Sequence, residues 1–214
     1  MTGVSRGRGG WGRLKAWPEV VGRRFVKGID FLLRRSQGVR EFSHEGGCIL
    51  RLGLGRAGAD LTLSDGTLVR RGDMVGQLHL WNERLPVMSA EGADLAWART
   101  FYTHFARSLK YVSLYIERAT AFEAIQAFCA ETAFALADIE SARRFARSMG
   151  FDFLRRPGAT TWQGRFAEFW DNFYVRMLIW TFNPASLRGK GLSQLRRYQL
   201  WISREKLLAR YRQG

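Results

Sequence analysis

Apolar and polar positions along this chain repeat with two different periods. From Cys48 to Leu54, and again from Met74 to Trp81, they alternate every second residue, which predicts pleated strands. In the second run Val75, Gln77, His79 and Trp81 point one way, and Met74, Gly76, Leu78, Leu80 and Asn82 the other. Between these runs Leu61, Leu63, Leu68 and Val69 flank Ser64-Asp65-Gly66, and an Asp-Gly step between apolar residues predicts a tight hairpin. Arg71-Gly72-Asp73 turns the chain once more. The stretch Asp60 to Glu83 thus combines turn chemistry, alternation and reactive side chains.

The period then changes. From Ser89 or Glu91 to about Arg118, Leu95, Ala98, Phe101, Tyr102, Phe105, Leu109, Val112 and Ile116 recur at helical spacing, with His104 and Arg107 on the flank. Over Phe122 to Leu136 the alanine content and the spacing of Phe122, Ile125, Phe128 and Thr132 read as helix. Asp138 is a good N-cap for a helix through Met149, Gly150 a good stop, and Phe151 to Leu154 returns as a strand. Trp162, Phe166, Phe169, Trp170, Phe173, Met177 and Trp180 make one face of a helix over Thr160 to Phe182, too short where it is apolar all round to span a bilayer.

Charge changes the reading of both ends. The formal net charge is +15, yet residues 44 to 184 hold sixteen Lys/Arg against fifteen acids, so the surplus sits in the terminal segments. Residues 1 to 10 read as a flexible basic tail. Trp11 to Ser36 reads as a helix, broken or started afresh near Pro18, from which Val21, Phe25, Gly28 and Leu32 form an apolar stripe with Arg23, Arg24, Lys27, Arg34 and Arg35 around it. Leu192 to Tyr211 reads as a second basic amphipathic helix, with Leu195, Ile202, Leu207 and Leu208 apolar and Arg196, Arg197, Arg204, Arg210 and Arg212 exposed. Such helices suit either an anionic membrane surface or an ordinary core with a solvated basic face. Cys48 and Cys129 lack ligand-like spacing and read as buried thiols, which fits a reducing compartment. No secretory signal and no run of roughly 20 apolar residues is visible, so a cytoplasmic location is expected, peripheral on the inner membrane face if the basic ends bind there.

The candidate chemistry is sparse. His79 lies beside Asn82 and Glu83 near a strand end, and an imidazole there suits a general acid or base as well as a half-buried structural role. Gly53-Leu54-Gly55-Arg56-Ala57-Gly58 leads into a strand and a hairpin, so it is a glycine-rich turn and not a dinucleotide loop, which must open a helix. No metal motif or nucleophile elbow is present, and no cofactor is specified.

The run LSDGTLVRRGDMVGQLHLWN resembles the signature of the YkoP-like domain family. SLKYVSLYIER, AIQAFCAET and ARSMGF resemble, in order, its next helix, a strand ending in Thr, and a helix ending in Gly-Phe. The resemblance spans roughly Cys48 to Phe153; where the family is expected to carry Gly before that Thr, this chain has Glu131 before Thr132. It implies a strand across Ala124 to Ala130. It also implies a link to envelope polysaccharide, since such domains occur attached to polysaccharide-deacetylase-like proteins. The strand, helix, Gly-Phe, strand succession is similar as well to the last units of the GNAT acetyltransferase superfamily. The pyrophosphate loop of that fold has its nearest match at Arg188-Gly189-Lys190-Gly191, late in the chain.

The expected fold is α+β: a small, mostly antiparallel sheet around residues 48 to 81, extended by later strands, with long helices on one side and helical ends. A single domain over 11 to 214 is expected, its core at 48 to 154 and flanking helices at 11 to 43 and 160 to 214. Three functions fit. The first is an accessory or interaction protein at the cytoplasmic membrane surface, using Arg23, Arg24, Lys27, Arg34, Arg35, Arg196, Arg197 and Arg204. The second is an acyl or glycosyl transferase, with His79 as acid or base and Asn82, Glu83 and Thr132 orienting the substrate. The third is nucleic-acid binding through the basic ends, although no specific nucleic-acid module is visible. The oligomeric state is left open.

Overall fold

A computed structural model of the chain describes residues 39–89, 94–135, 139–156 and 195–212. The basic tail, the 11 to 43 helix as far as residue 38, and the aromatic helix at 160 to 182 lie outside them, as do Asp138 and the Arg188 to Gly191 loop.

The described residues form an α+β fold. Strands β1 (Leu50–Arg56), β4 (Met74–Leu80), β5 (Ala127–Ala135), β6 (Asp152–Arg155) and β7 (Leu195–Ser203) make one sheet in the order β1-β4-β5-β7-β6. The β4–β5 pair is parallel and the other three pairs are antiparallel. The predicted hairpin is β2 (Leu61–Thr62) and β3 (Leu68–Val69), a separate two-stranded sheet and not part of the main one. Gly66 and Gly72 take the positive φ that its two turns require, 88° and 91°.

Helices α1 (Leu95–Arg118), α2 (Ile139–Ser148) and α3 (Arg204–Tyr211) pack on one sheet face. Phe105, Leu109, Val112 and Ile116 of α1 are buried there, as their spacing predicts. Helix α1 starts later than the apolar pattern suggests, because the Asp94 carboxylate accepts the Trp97 N–H and caps it. Gly150, at φ 83°, stops α2. Buried Ser108 ties α1 to the chain entering β1, accepting from Ile49 N at 2.8 Å and donating to His104 O at 2.7 Å.

Two expectations need correction or resolution. Phe122 to Leu136 resolves as strand β5; Phe122 and Ile125 precede it in a turn but enter the same core as Phe128, which produces the helix-like spacing. Leu192 to Tyr211 is not one helix. Leu195–Ser203 is a strand, in which Tyr198, Leu200 and Ile202 alternate with Arg197, Gln199, Trp201 and Ser203, and only Arg204–Tyr211 is helical. Aromatic and β-branched alternation outweighed the leucine spacing because this segment pairs with β5 along its whole length.

The hairpin lies over the other sheet face, burying Leu63 and Val69 against Val75, Ala127, Cys129 and Trp201. Both cysteines are free and buried. Burial, with the Glu131 carboxylate nearby, pushes the Cys129 thiol far above its ordinary range.

The hairpin tip is latched to the β7–α3 junction. Asp65 accepts from the Ser203 hydroxyl and from Thr67 N, and Lys206 Nζ donates to Ser64 Oγ at 3.2 Å. Burial raises the Asp65 pKa, but the hydrogen bonds from Ser203 and Thr67 and the Lys206 charge outweigh it, holding the carboxyl below its ordinary 3.8. A carboxyl depressed in the folded state stabilises above its unfolded pKa and loses that contribution as pH falls through the folded value. The chain should therefore be more stable to urea than Asp65→Asn at about pH 6, and the gap should narrow as pH falls below about 4. A gap that stays constant across this range would refute the latch.

Candidate functional site

Residues of β1 and β4 that face away from the helices form the neighbourhood of the sequence-predicted site. Arg51 stands directly opposite His79, and Gly53 opposite Gln77. Because β1 has glycine at 53 and 55, the longer β4 side chains lean across it. A Cβ at Gly53 would lie 3.5 Å from His79 Nε2 and from Val39, and one at Gly55 would collide with Gln77. His79 is therefore half-buried on a glycine shelf, between the Arg51 and Val39 positions.

Arg51 organises this end. Its side chain is only 6% exposed and its guanidinium reaches Glu41 at 3.0 Å and Glu83 at 3.5 Å. The guanidinium carbon lies 4.2 Å from the Trp81 ring centroid, and that of Arg84 lies 3.6 Å from it. Strand β4 ends at Leu80, and Asn82 to Arg84 form a short 3-10 turn that brings Glu83 back toward Arg51. His79 thus lies at the end of β4 and Asn82 and Glu83 in the turn that follows it, with Glu83 directed to Arg51.

Thr132 does not join them. It pairs with Tyr198 and shares the face of Phe128 and Ala130, which pack toward the helices, whereas His79 shares the face of Arg51. His104 and Arg107 are also on the helix side, next to Gly47. On the His79 face, β5 and β7 contribute a polar row instead. Glu131 accepts from Arg156 at 3.0 Å and from Gln199 at 3.0 Å, and Gln199 accepts from Trp201 Nε1 at 3.1 Å. Among the described residues no group of three or more His, Cys, Asp or Glu side chains has the arrangement of a metal site.

Of the basic residues assigned to an anionic surface, Arg23, Arg24, Lys27, Arg34 and Arg35 lie outside the described residues. Arg196 and Arg197 lie on β7, and Arg197 approaches Glu131 at 4.0 Å. Arg204 donates to Phe122 O at 2.6 Å and to Ile116 O at 3.1 Å, so its guanidinium satisfies carbonyls at the end of α1 and in the turn after it. Among the described residues no helix is long and apolar enough to cross a membrane.

Sequence reasoning passed over Arg51, whose signal was an arginine alternating with Leu50 and Leu52 in an otherwise apolar run. It also passed over a groove of about 560 Å³ between α2, β6 and the hairpin, lined by Thr62, Ser64, Arg143 and Arg147 among others.

The architecture defines an α+β domain with helices on one face of a mixed sheet and a latched hairpin on the other. The chain belongs to the YkoP domain family, whose description matches residues 23–211 and so takes in both flanks beyond the 48 to 153 resemblance. No curated protein and no solved structure matches it.

Proposed function

We propose that this YkoP domain protein is an accessory or interaction protein at the cytoplasmic face of a membrane, acting in envelope polysaccharide or glycolipid processing. The observation that supports it is the placement of charge: a surplus of +15 resides almost wholly in the two ends, while the middle of the chain is near neutral. The N-terminal surplus suits attachment to an anionic surface, since each basic residue near such a surface contributes on the order of 1 kcal/mol, whereas at the other end Arg197 approaches Glu131 and Arg204 donates to the Phe122 and Ile116 carbonyls. Arg51, the cross-strand partner of the predicted acid or base, is held in structural contacts, joining Glu41 to Glu83. A transferase using His79, Asn82, Glu83 and Thr132 would need Thr132 to act through the sheet. The accessory reading is preferred for that reason.

Flotation with anionic and neutral liposomes tests it. Binding to anionic vesicles alone is expected at physiological salt, and its loss at about 1 M salt, where the screening length falls to about 3 Å. A variant carrying Arg23→Glu, Arg24→Glu, Arg34→Glu and Arg35→Glu should lose binding by orders of magnitude with its thermal unfolding unchanged. Equal binding to neutral vesicles, or binding that survives charge reversal, would overturn the reading. Salt-resistant copurifying absorbance at 260 nm would favour the nucleic-acid alternative instead.

A further inference from the structure

The groove between α2, β6 and the hairpin gathers donors that the fold itself uses only lightly. Arg143 and Arg147 are four residues apart, so both lie on one face of α2, and both line it with Thr62, Ser64, Asp152 and Phe153. Arg143 has a long, solvent-exposed pairing with Glu140, at 3.7 Å, which holds it weakly, and its guanidinium carbon lies 5.9 Å from the centroid of the Phe153 ring, so it is already turned toward the groove wall. Among the described residues the Arg147 guanidinium makes no hydrogen bond or ion pair.

Ser64 is more closely constrained. Its backbone N–H donates to Asp152 Oδ2 at 2.7 Å, which fixes the hairpin against β6 and occupies that carboxylate oxygen. Its Oγ accepts from Lys206 Nζ at 3.2 Å. With a lone pair engaged by an ammonium group, the Ser64 hydroxyl is left to donate its own hydrogen, and the nearby charge polarises it. The groove therefore offers two guanidiniums and two hydroxyls, and Phe153, stacked on Tyr198 at 4.5 Å, supplies an apolar wall. Its volume lies within the range of small-molecule sites and exceeds what a bare phosphate ion needs.

We propose that this groove binds a phosphorylated sugar. The Arg143 and Arg147 guanidiniums take the phosphate oxygens, for which their planar fork is suited. Ser64 and Thr62 meet the phosphate or the adjoining sugar hydroxyls, and Phe153 lies against the C–H face of the ring. The site uses none of the terminal arginines invoked for surface attachment and stands independently of that reading.

Calorimetric titration of the full chain with glucose 6-phosphate, inorganic phosphate and glucose tests the proposal. Glucose 6-phosphate should bind about tenfold or more tightly than phosphate, and glucose should not bind measurably. Arg147→Glu, a surface change, should weaken glucose 6-phosphate binding by about tenfold or more, whereas Arg147→Lys should keep part of it as a point charge. Binding of anionic vesicles should survive Arg147→Glu, so this site and the surface reading fail separately. Absence of glucose 6-phosphate binding up to about 10 mM would overturn the proposal. So would equal affinity for phosphate and its sugar ester, or binding indifferent to Arg147→Glu.

Discussion

Phe128→Ala should cost the fold about 3–5 kcal/mol, and Gly76→Ala about 1–3 kcal/mol, although the two changes alter volume in opposite directions. Phe128 is fully buried at the centre of the helix-side core and packs on Phe122 at 6.5 Å between centroids. It is also the parallel-strand partner of Gly76, and its ring lies over that glycine: a Cβ there would fall 2.1 Å from Phe128 Cδ1. A ring so enclosed has nowhere to move. The two positions should therefore be coupled by about 0.5–3 kcal/mol, the double variant losing less than the sum, because removing the ring makes room for the added methyl group. Urea denaturation of the four proteins measures the coupling. Strict additivity would mean that the ring does not cover Gly76.

The second large effect concerns the Arg51 clamp and is asymmetric. Glu41→Gln together with Glu83→Gln should destabilise by about 3–5 kcal/mol, because a buried guanidinium is left without its carboxylates. Arg51→Met should cost less, about 1–2 kcal/mol. The carboxylates it releases have side chains 42% and 35% exposed, so water can solvate them, while the new thioether stem keeps contact with Trp81. Thermal unfolding of the three proteins decides the order. If Arg51→Met proved the worse of the two, its packing and not its charge balance would dominate.

Elements governed by neighbours in sequence were the legible ones. The Asp65-Gly66 turn, the Gly150 stop and the Phe105, Leu109, Val112 and Ile116 part of the α1 stripe each follow from backbone freedom or helical period and stand where the pattern placed them, whereas Leu95, Ala98 and Tyr102 of the same stripe are exposed because the sheet does not reach the first turns of α1. Strand β7 was misread because its arginines and leucines mimic an amphipathic helix, and only its partner β5 makes the two-residue period decisive. That His79, Asn82 and Glu83 fall at the end of β4 and in the turn after it was legible because those residues are close in sequence. The position of Thr132 was not, because the face on which a residue of β5 emerges depends on pairing register, and a one-residue slip would invert it.

The amino-acid sequence by itself determined the α+β class, the hairpin turns, the long helix, the two buried thiols and the uneven spread of charge, because each rests on local backbone preference or on composition. The tertiary structure alone decided that Arg51 lies opposite His79, that Thr132 faces away from it, that Arg204 serves carbonyls of the α1 end and turn, and that Arg143 and Arg147 share a groove with Ser64. Those outcomes depend on contacts between residues far apart in the chain, and packing selects them only when the whole sheet is assembled.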